Sequence, residues 1–450
     1  MSQNIKLKKG FDINLVGKAE KKIGELPQPE TFAIKPTDFV GMSRAKLLVK
    51  EGDNVKAGTP IMIDKLVEDV FYCSPVSGEV AEIVRGAKRV ILEVRILADK
   101  EISYESFDKH DDVRSVSKEA AIEQMKKSGV WPQIIQRPYG IVADPNDSPK
   151  SIFISAFDSH PLAADQNFIL EGEEKYFEAG VQILTGLTEG KVHINVNKDS
   201  ADFFKSSVAQ VNHVSGIHPA GNVGVQIHHI DPINKGDIAW TVSPIGVVQI
   251  GKLFLEGKYD ASKVIALVGS EVKEPQYYRT LAGACINKLV DGTIKDGHVR
   301  FISGNVLTGS QINSTGYLGF YHNQVTVLPE GEHSEVFGWI LPSAKKLSFH
   351  RAFGLLSFLN GSKKEYTVDT NMKGQQRAFV QTGAFERVVP MDILPTHLLK
   401  AVLAEDYDDM EGLGIYEVIE EDLALCEFID VSKHDVQSIL REGLDLLRTS

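Results

Sequence analysis

Between Leu47 and Val94 the apolar positions fall in short runs, most of them within LLVKEGDNVKAGTPIMIDKLVEDVFYCSPVSGEVAEIV. Gly52-Asp53, Gly58-Thr59-Pro60 and Ser77-Gly78 separate these runs, and strand-length segments punctuated by turn residues predict a small all-β unit. A charged connector, Tyr104 to Arg114, follows. Ser117 is then a plausible N-cap for SKEAAIEQMKKSG, with Glu119 in the first turn, Ala121, Ile122 and Met125 on the apolar face, and Gly129 as the stop. SIFISAF from Ser151 predicts a strand, EEKYFEAGVQILTGL a helix, VHINVN from Val192 a strand, and Ala201 to Lys205 a further helix. Strand, helix, strand in that order argues for a parallel α/β unit. From Lys263 the strands of VIALVG, VRFISG and QVTVLPEG mix with a helical span, as in a compact α+β domain. Beyond Pro390 the segments THLLKAVLAEDY and SKHDVQSILREGLDLLR read as helical. The expected order is a β module over 1–103, an α/β domain over 104–260, an α+β domain over 261–330, and a connecting segment with a helical domain over 331–450.

A chain of 450 residues, 42% hydrophobic, can bury more than one core, which suits this multidomain α/β and α+β division. The net charge of −12 and the lack of a clustered basic face exclude nucleic acid as a partner. The lysine-dotted N-terminus has no apolar run of signal-peptide length, so export is not expected. No run reaches about 18 apolar residues, and Val264 to Val268 reads as a buried strand, so membrane contact is expected only through partners. Cys73, Cys285 and Cys426 are far apart, without CxxC spacing. They read as reduced, mostly buried thiols of a cytosolic protein rather than a disulfide framework or a metal site.

VKEGDNVKAGTPI followed by SPVSGEV resembles the barrel-sandwich fold of biotinyl and lipoyl carrier domains. Carriers acylate a lysine at a hairpin tip, but Lys65 lies in IDKLVEDVFY, outside their flanking motif, so a hammerhead used for docking is the favoured reading. The chain as a whole resembles the A subunits of bacterial sodium-translocating NADH:quinone oxidoreductases. The resemblance is most specific in IKLKKGFDINLVGKA, GVWPQIIQRPYGIVADP, HPAGNVGVQIHHIDP and LPTHLLKAVLAEDYDDMEGLGIYEVIEEDLALCEF. More distantly it is similar to the C subunit of the Rnf complex and to the flavin-carrying, NADH-oxidising subunit of complex I, and the stretch from Lys263 resembles their soluble-ligand-binding β-grasp module.

The flavin-carrying relative cradles its phosphate in a glycine-rich loop after a helix, where any Cβ would block the approach. Here VWPQIIQRPYG follows Gly129, with bulky Trp131, Ile134, Ile135 and Tyr139, so the α/β domain reads as a degenerate Rossmann-like unit without flavin. GLTEGK at Gly186 to Lys191 is too short for a Walker loop. Cys426 stands alone in ALCEFIDVSKHDV where relatives place CxxCxxC clusters, and one thiolate cannot hold such a centre. The resemblance therefore implies no cofactor and no catalytic residue in this chain, with NADH oxidation, flavins and iron–sulfur centres in partner subunits. It implies a peripheral subunit on the cytoplasmic face of the inner membrane, docked to membrane subunits of a complex that exports Na+ while reducing ubiquinone or menaquinone. A non-catalytic soluble-ligand-binding protein is the alternative.

His218, His228 and His229 are the first candidates for chemistry. On a strand, adjacent His228 and His229 would point to opposite faces, which disfavours a metal. Packed, hydrogen-bonded histidines are the plain reading; a proton-handling role, or contact with a quinone carbonyl by His218 or His228, is the other. Trp131, Arg137 and Tyr139 offer a second candidate quinone surface; the alternative is that Trp131-Pro132 closes the helix and packs in the core. AEDYDDMEG lacks the alternation of a calcium loop and reads as a solvated acidic turn. Tyr277, Tyr278 and Arg279 read either as a ligand slot or as surface aromatics meeting a partner protein.

Overall fold

The computed structural model describes residues 2–206, 208–331, 346–350, 364–380 and 383–449. Strands β1 (Asn4–Lys6) and β2 (Glu20–Gly24) open the chain but pair elsewhere. β3 (Thr31–Ile34), β4 (Ala45–Leu47), β5 (Asn54–Val55), β6 (Pro60–Asp64), β7 (Val67–Cys73), β8 (Gly78–Arg85) and β9 (Ile91–Ala98) then form two small antiparallel sheets, ordered β3-β9-β8-β5 and β4-β6-β7. Alternation sets the packing: Val80, Val94 and Ile96 are fully buried while their neighbours Glu79, Glu82 and Leu97 face out. Lys65 and Leu66 make the exposed β6–β7 turn.

Helix α1 (Lys118–Ser128) begins as expected, with the Ser117 hydroxyl accepting the Ala120 N–H at 3.3 Å, and ends at Gly129 with φ of +83°. β10 (Ile134–Arg137), β11 (Ile141–Val142), β12 (Ser151–Ser155), α2 (Gln166–Ile169), α3 (Glu174–Leu187), β13 (Lys191–Val196), β14 (Gln210–Ser215), α4 (Val223–Ile230), β15 (Ala239–Val242) and α5 (Pro244–Glu256) complete the second module. Its seven-stranded sheet runs β1-β14-β13-β12-β15-β10-β11, parallel from β1 to β15 and antiparallel beyond. Ile152, Phe153, Ile154 and Ile194 are fully buried, as strands covered on both faces require. Helices α3 and α5 lie so close that a Cβ on Gly180 would stand 2.0 Å from the Val247 carbonyl oxygen.

Two expectations fail here. Residues 201–205 hold only a single 3-10 turn, Asp202–Phe204, because the two phenylalanines bury a cluster with Phe177 instead of extending an amphipathic face. His228 and His229 sit on helix α4, not on a strand, so they diverge by about 100° instead of pointing to opposite faces.

The third module contains β16 (Ser262–Val268), β17 (Gln276–Leu281), α6 (Asn287–Val290), β18 (Val299–Ser303), β19 (Ser310–Ile312) and β20 (Gln324–Pro329), with sheet order β19-β18-β20-β16-β17-β2. Tyr277 and Tyr278 are core residues, 1% and 3% exposed, which corrects the surface reading. The Tyr277 hydroxyl accepts the Asp165 N–H at 2.9 Å, so it ties this module to the α/β one. Helices α7 (Phe385–Val388), α8 (Pro395–Leu403), α9 (Tyr407–Gly412), α10 (Glu420–Ile429) and α11 (Val436–Thr449) close the chain. The acidic stretch expected as a turn is largely α9: Asp406 caps it by accepting the Asp409 N–H at 3.1 Å, and Asp408 and Asp409 suit the positive end of its dipole. Among the described residues no helix is long and apolar enough to cross a membrane. One continuous cluster of buried side chains runs through all four modules.

Candidate functional site

The order β14-β13-β12-β15 reverses direction at β12, because the chain steps outward to β13 and β14 and then returns to the other side of β12. Loops diverge at such a switch point and leave a crevice at the carboxyl ends of the strands. A cavity of about 390 Å³ lies there, and its size suits a small organic ligand. Ser155, Gln166 and His218 line it from the α/β module, Arg137 from the end of β10, Gln324 from the β-grasp module and Glu421 from α10.

Arg137 is 2% exposed. Its guanidinium donates to Asp422 at 3.0 Å and Glu421 at 2.7 Å, while its Nε has no partner. Burial alone would favour the neutral arginine, but the two carboxylates outweigh it and hold the charge. Burial pushes the Glu421 carboxyl up; Arg137 opposes this, and neighbouring Asp422 and Asp158 add to it.

His218 is 3% exposed, and burial, with a smaller contribution from His160, pushes its pKa down to about 3. The Ser159 hydroxyl accepts the Gly221 N–H at 2.8 Å and lies 3.0 Å from His218 Nδ1. The arrangement that leaves no hydroxyl hydrogen unpaired has Ser159 donating to Nδ1. His218 is then a neutral imidazole with its proton on Nε2, and that Nε2 has no partner. Gln166 Nε2 donates to Asp158 at 2.8 Å; a carboxylate only accepts, so the unpartnered Gln166 Oε1 is fixed as an acceptor. Gln324 is fixed likewise. Thr326 donates to the Gly304 carbonyl at 2.8 Å and so accepts from Gln324 Nε2 at 3.0 Å, leaving Gln324 Oε1 without a donor.

The other candidates stand outside this lining. Trp131 is fully buried, donates from Nε1 to the Ala143 carbonyl at 2.7 Å and packs edge-on against Trp240. With Pro132 and Gln133 it makes a packed 3-10 turn, which offers side chains where a flavin phosphate would need open backbone N–H groups. Tyr139, at φ of +81°, faces Tyr416 with ring centroids 6.3 Å apart. Both nitrogens of His228 are engaged: Nδ1 donates to Glu417 at 2.6 Å and Nε2 accepts the Asp392 N–H at 3.0 Å. His229 donates to the Pro390 carbonyl at 2.8 Å. These two histidines clip α4 to the C-terminal helical region. Among the described residues, no three His, Cys, Asp or Glu side chains are grouped to hold a metal ion.

Of the residues singled out in the sequence, Arg137 and His218 line this cavity; Gln166, Gln324 and Glu421 line it too but were not singled out. Glutamines carry no motif; the Glu421-Asp422 pair opening a helix was the one signal that could have matched Arg137.

Family models match three stretches: the NqrA N-terminal barrel-sandwich hybrid domain over 5–99, the NqrA second alpha/beta domain over 116–259 and the NQRA C-terminal domain over 264–314. The A subunit of the Na(+)-translocating NADH-quinone reductase of Yersinia pestis bv. Antiqua is 38% identical over 98% of both chains. That of Alcanivorax borkumensis is 39% identical, again over 98% of both. The chain belongs to the family of Na(+)-translocating NADH-quinone reductase A subunits. The cavity therefore lies between the second alpha/beta domain of this family and parts of the chain beyond it, with Gln324 and Glu421 outside all three matched stretches. A solved NAD+-reducing [NiFe]-hydrogenase chain aligns over 77% of this chain and 67% of its own at 10% identity, with a TM-score of 0.37 too low to carry a fold assignment.

Proposed function

We propose that this chain is the peripheral A subunit of a sodium-pumping NADH:quinone reductase, docked to membrane subunits on the cytoplasmic face and without NADH-oxidising activity of its own. The observation that carries this is near full-length identity to subunits of that name, 38% over 98% of both chains. In this reading flavins and iron–sulfur centres belong to partner subunits, and ubiquinone or menaquinone is the small ligand. Of the residues first suspected of touching quinone, Arg137 and His218 are the ones we retain. Both line the switch-point cavity, at the carboxyl ends of the strands where small ligands bind in open α/β sheets.

Tagged protein pulled from gently solubilised native membranes, with the bound chains identified by mass spectrometry, tests the assignment. Flavin- and iron–sulfur-bearing membrane subunits should come with it. Recovery of the chain alone from the soluble fraction would overturn the assignment in favour of a free ligand-binding protein.

A further inference from the structure

We infer that residues 40–50, together with the β6–β7 turn, form a surface that contacts anionic lipid headgroups directly, in addition to any contact made through membrane subunits. In a chain of net charge −12 this stretch, VGMSRAKLLVK, contains Arg44, Lys46 and Lys50 and no acidic residue. All three are exposed, and beside them Val40 is 39% and Leu48 43% exposed. β4 stands at the edge of its three-stranded sheet, so its outer side pairs with no other described strand.

The β6–β7 turn lies against this strand. Asp64 pairs with Val67 across two turn residues, and Lys65 donates its N–H to the Arg44 carbonyl at 3.1 Å. Buried Asp64 accepts the Leu66 N–H at 3.1 Å and holds the tip in one shape. Two-residue hairpin turns favour Asn, Asp and Gly, so the turn itself does not call for leucine. Yet Leu66 is 70% exposed, the largest exposure of any large apolar side chain among the described residues. Glu68 stands 3.6 Å from Lys46, while Arg44, Lys50 and Lys65 form no ion pair among the described residues. The other nearby acids are engaged: Asp69 with Lys126, and Glu51 and Asp53 with the N–H groups of Ile83 and Lys50.

Lysines on an edge strand discourage pairing with another chain, but that purpose leaves exposed Leu48 and Leu66 unexplained. Apolar side chains among Lys and Arg make an interfacial anchor: the leucines enter the acyl boundary while the cations stay with the headgroups. The choice of lipid over protein rests on the reading of the chain as a peripheral subunit at the cytoplasmic face. Cytoplasmic loops of membrane subunits carry an excess of Lys and Arg, which this ridge repels. Anionic headgroups of the same leaflet attract it, by about fivefold in partitioning for each cation near the surface. Val40 also lines the switch-point cavity, so the ridge starts at the rim of that site.

The test is flotation of the purified full-length chain with vesicles of phosphatidylcholine alone and with vesicles that also contain phosphatidylglycerol. The chain should float with the anionic vesicles only, and less so as salt rises. Lys46→Glu, Lys50→Glu and Lys65→Glu together should lower that binding by about a hundredfold. Leu66→Ser, which leaves the charge unchanged, should lower it about fivefold. Lys8→Glu with Lys9→Glu should leave it unchanged, because they follow β1, at the opposite edge of the seven-stranded sheet from β11, whose Ile141 packs on Gly41. No flotation, equal flotation with both vesicles, or equal losses from the Lys8/Lys9 and ridge variants would overturn the proposal. A ridge variant that floats like the unaltered chain but loses the membrane subunits in a pull-down would overturn it in favour of a protein contact. Vesicles hold no subunits, so failure here leaves the complex assignment standing, and failure of the pull-down leaves the lipid contact standing. Should the charge reversals fail to fold, Leu66→Cys carrying an environment-sensitive dye decides, since the native thiols are buried. A blue shift on adding anionic vesicles supports insertion of the tip, and unchanged emission overturns it.

Discussion

His193 and His218 are buried and His322 is half-buried; desolvation holds all three neutral, with pKa values lowered to about 4, 3 and 3. The sign follows from linkage: below the unfolded value near 6.5 the unfolded chain gains protons that the folded chain refuses. Their stabilisation is complete above pH 6.5 and is lost as pH falls toward 4 and then 3, at about 1.4 kcal/mol per pH unit for each histidine. Urea unfolding between pH 4.5 and 7 should therefore weaken steeply on the acid side, and His218→Gln should flatten that slope by about one proton's worth. Arg137→Met should cost about 3–5 kcal/mol, because it leaves Asp422 charged and buried without its partner; adding Asp422→Leu should restore much of the loss. A smaller effect from Arg137→Met alone would mean the ion pair is dispensable. At this scale the sequence was half legible. Trp131 to Tyr139 were read as one surface because they are neighbours in the chain, yet a 3-10 turn followed by a strand sends Trp131 into the core and Arg137 toward the cavity.

At the scale of elements, periodicity carried α1, α3, β12, β13 and β16 into the structure, since each buries one face or a continuous apolar run. The closeness of α3 to α5 was not readable from it. That approach depends on backbone meeting backbone, Gly180 against Val247 and Gly251 against Tyr176, where added Cβ atoms would stand 2.0 and 1.9 Å from the carbonyl oxygens. Gly180→Ala should destabilise by about 1–3 kcal/mol, visible as a lower urea midpoint, while Gly186→Ala on the same helix, where nothing lies within 4 Å, should be neutral or slightly stabilising. The thiols of Cys73 and Cys426 lie in packed elements, and burial pushes both upward from their ordinary range. Thiol reagents should label them only as fast as the protein opens, with full labelling in denaturant.

Across the whole molecule the modules share bonds as well as core. Tyr321 of the β-grasp module donates to the Pro132 carbonyl at 2.7 Å, Asn222 to the Glu421 carbonyl at 2.8 Å, and His228 to Glu417. Unfolding followed by tryptophan fluorescence, to which core Trp131 and Trp240 contribute, should therefore coincide with unfolding followed by far-UV circular dichroism. Two separated transitions would show that the modules melt independently. Strands β1 and β2 extend this sharing, because within the first 24 residues they edge both large sheets rather than the two small ones.

By itself the sequence determined the order of modules, the burial of the strands and the family, because these rest on local periodicity, turn residues and extended runs of matching residues. Only the tertiary structure decided the site. A cavity at a switch point is assembled from residues as far apart as Arg137, His218, Gln324 and Glu421. The meaning of each polar atom there depends on whether some distant donor or acceptor reaches it, and hydrogen-bond satisfaction is a property of packing that no local pattern encodes.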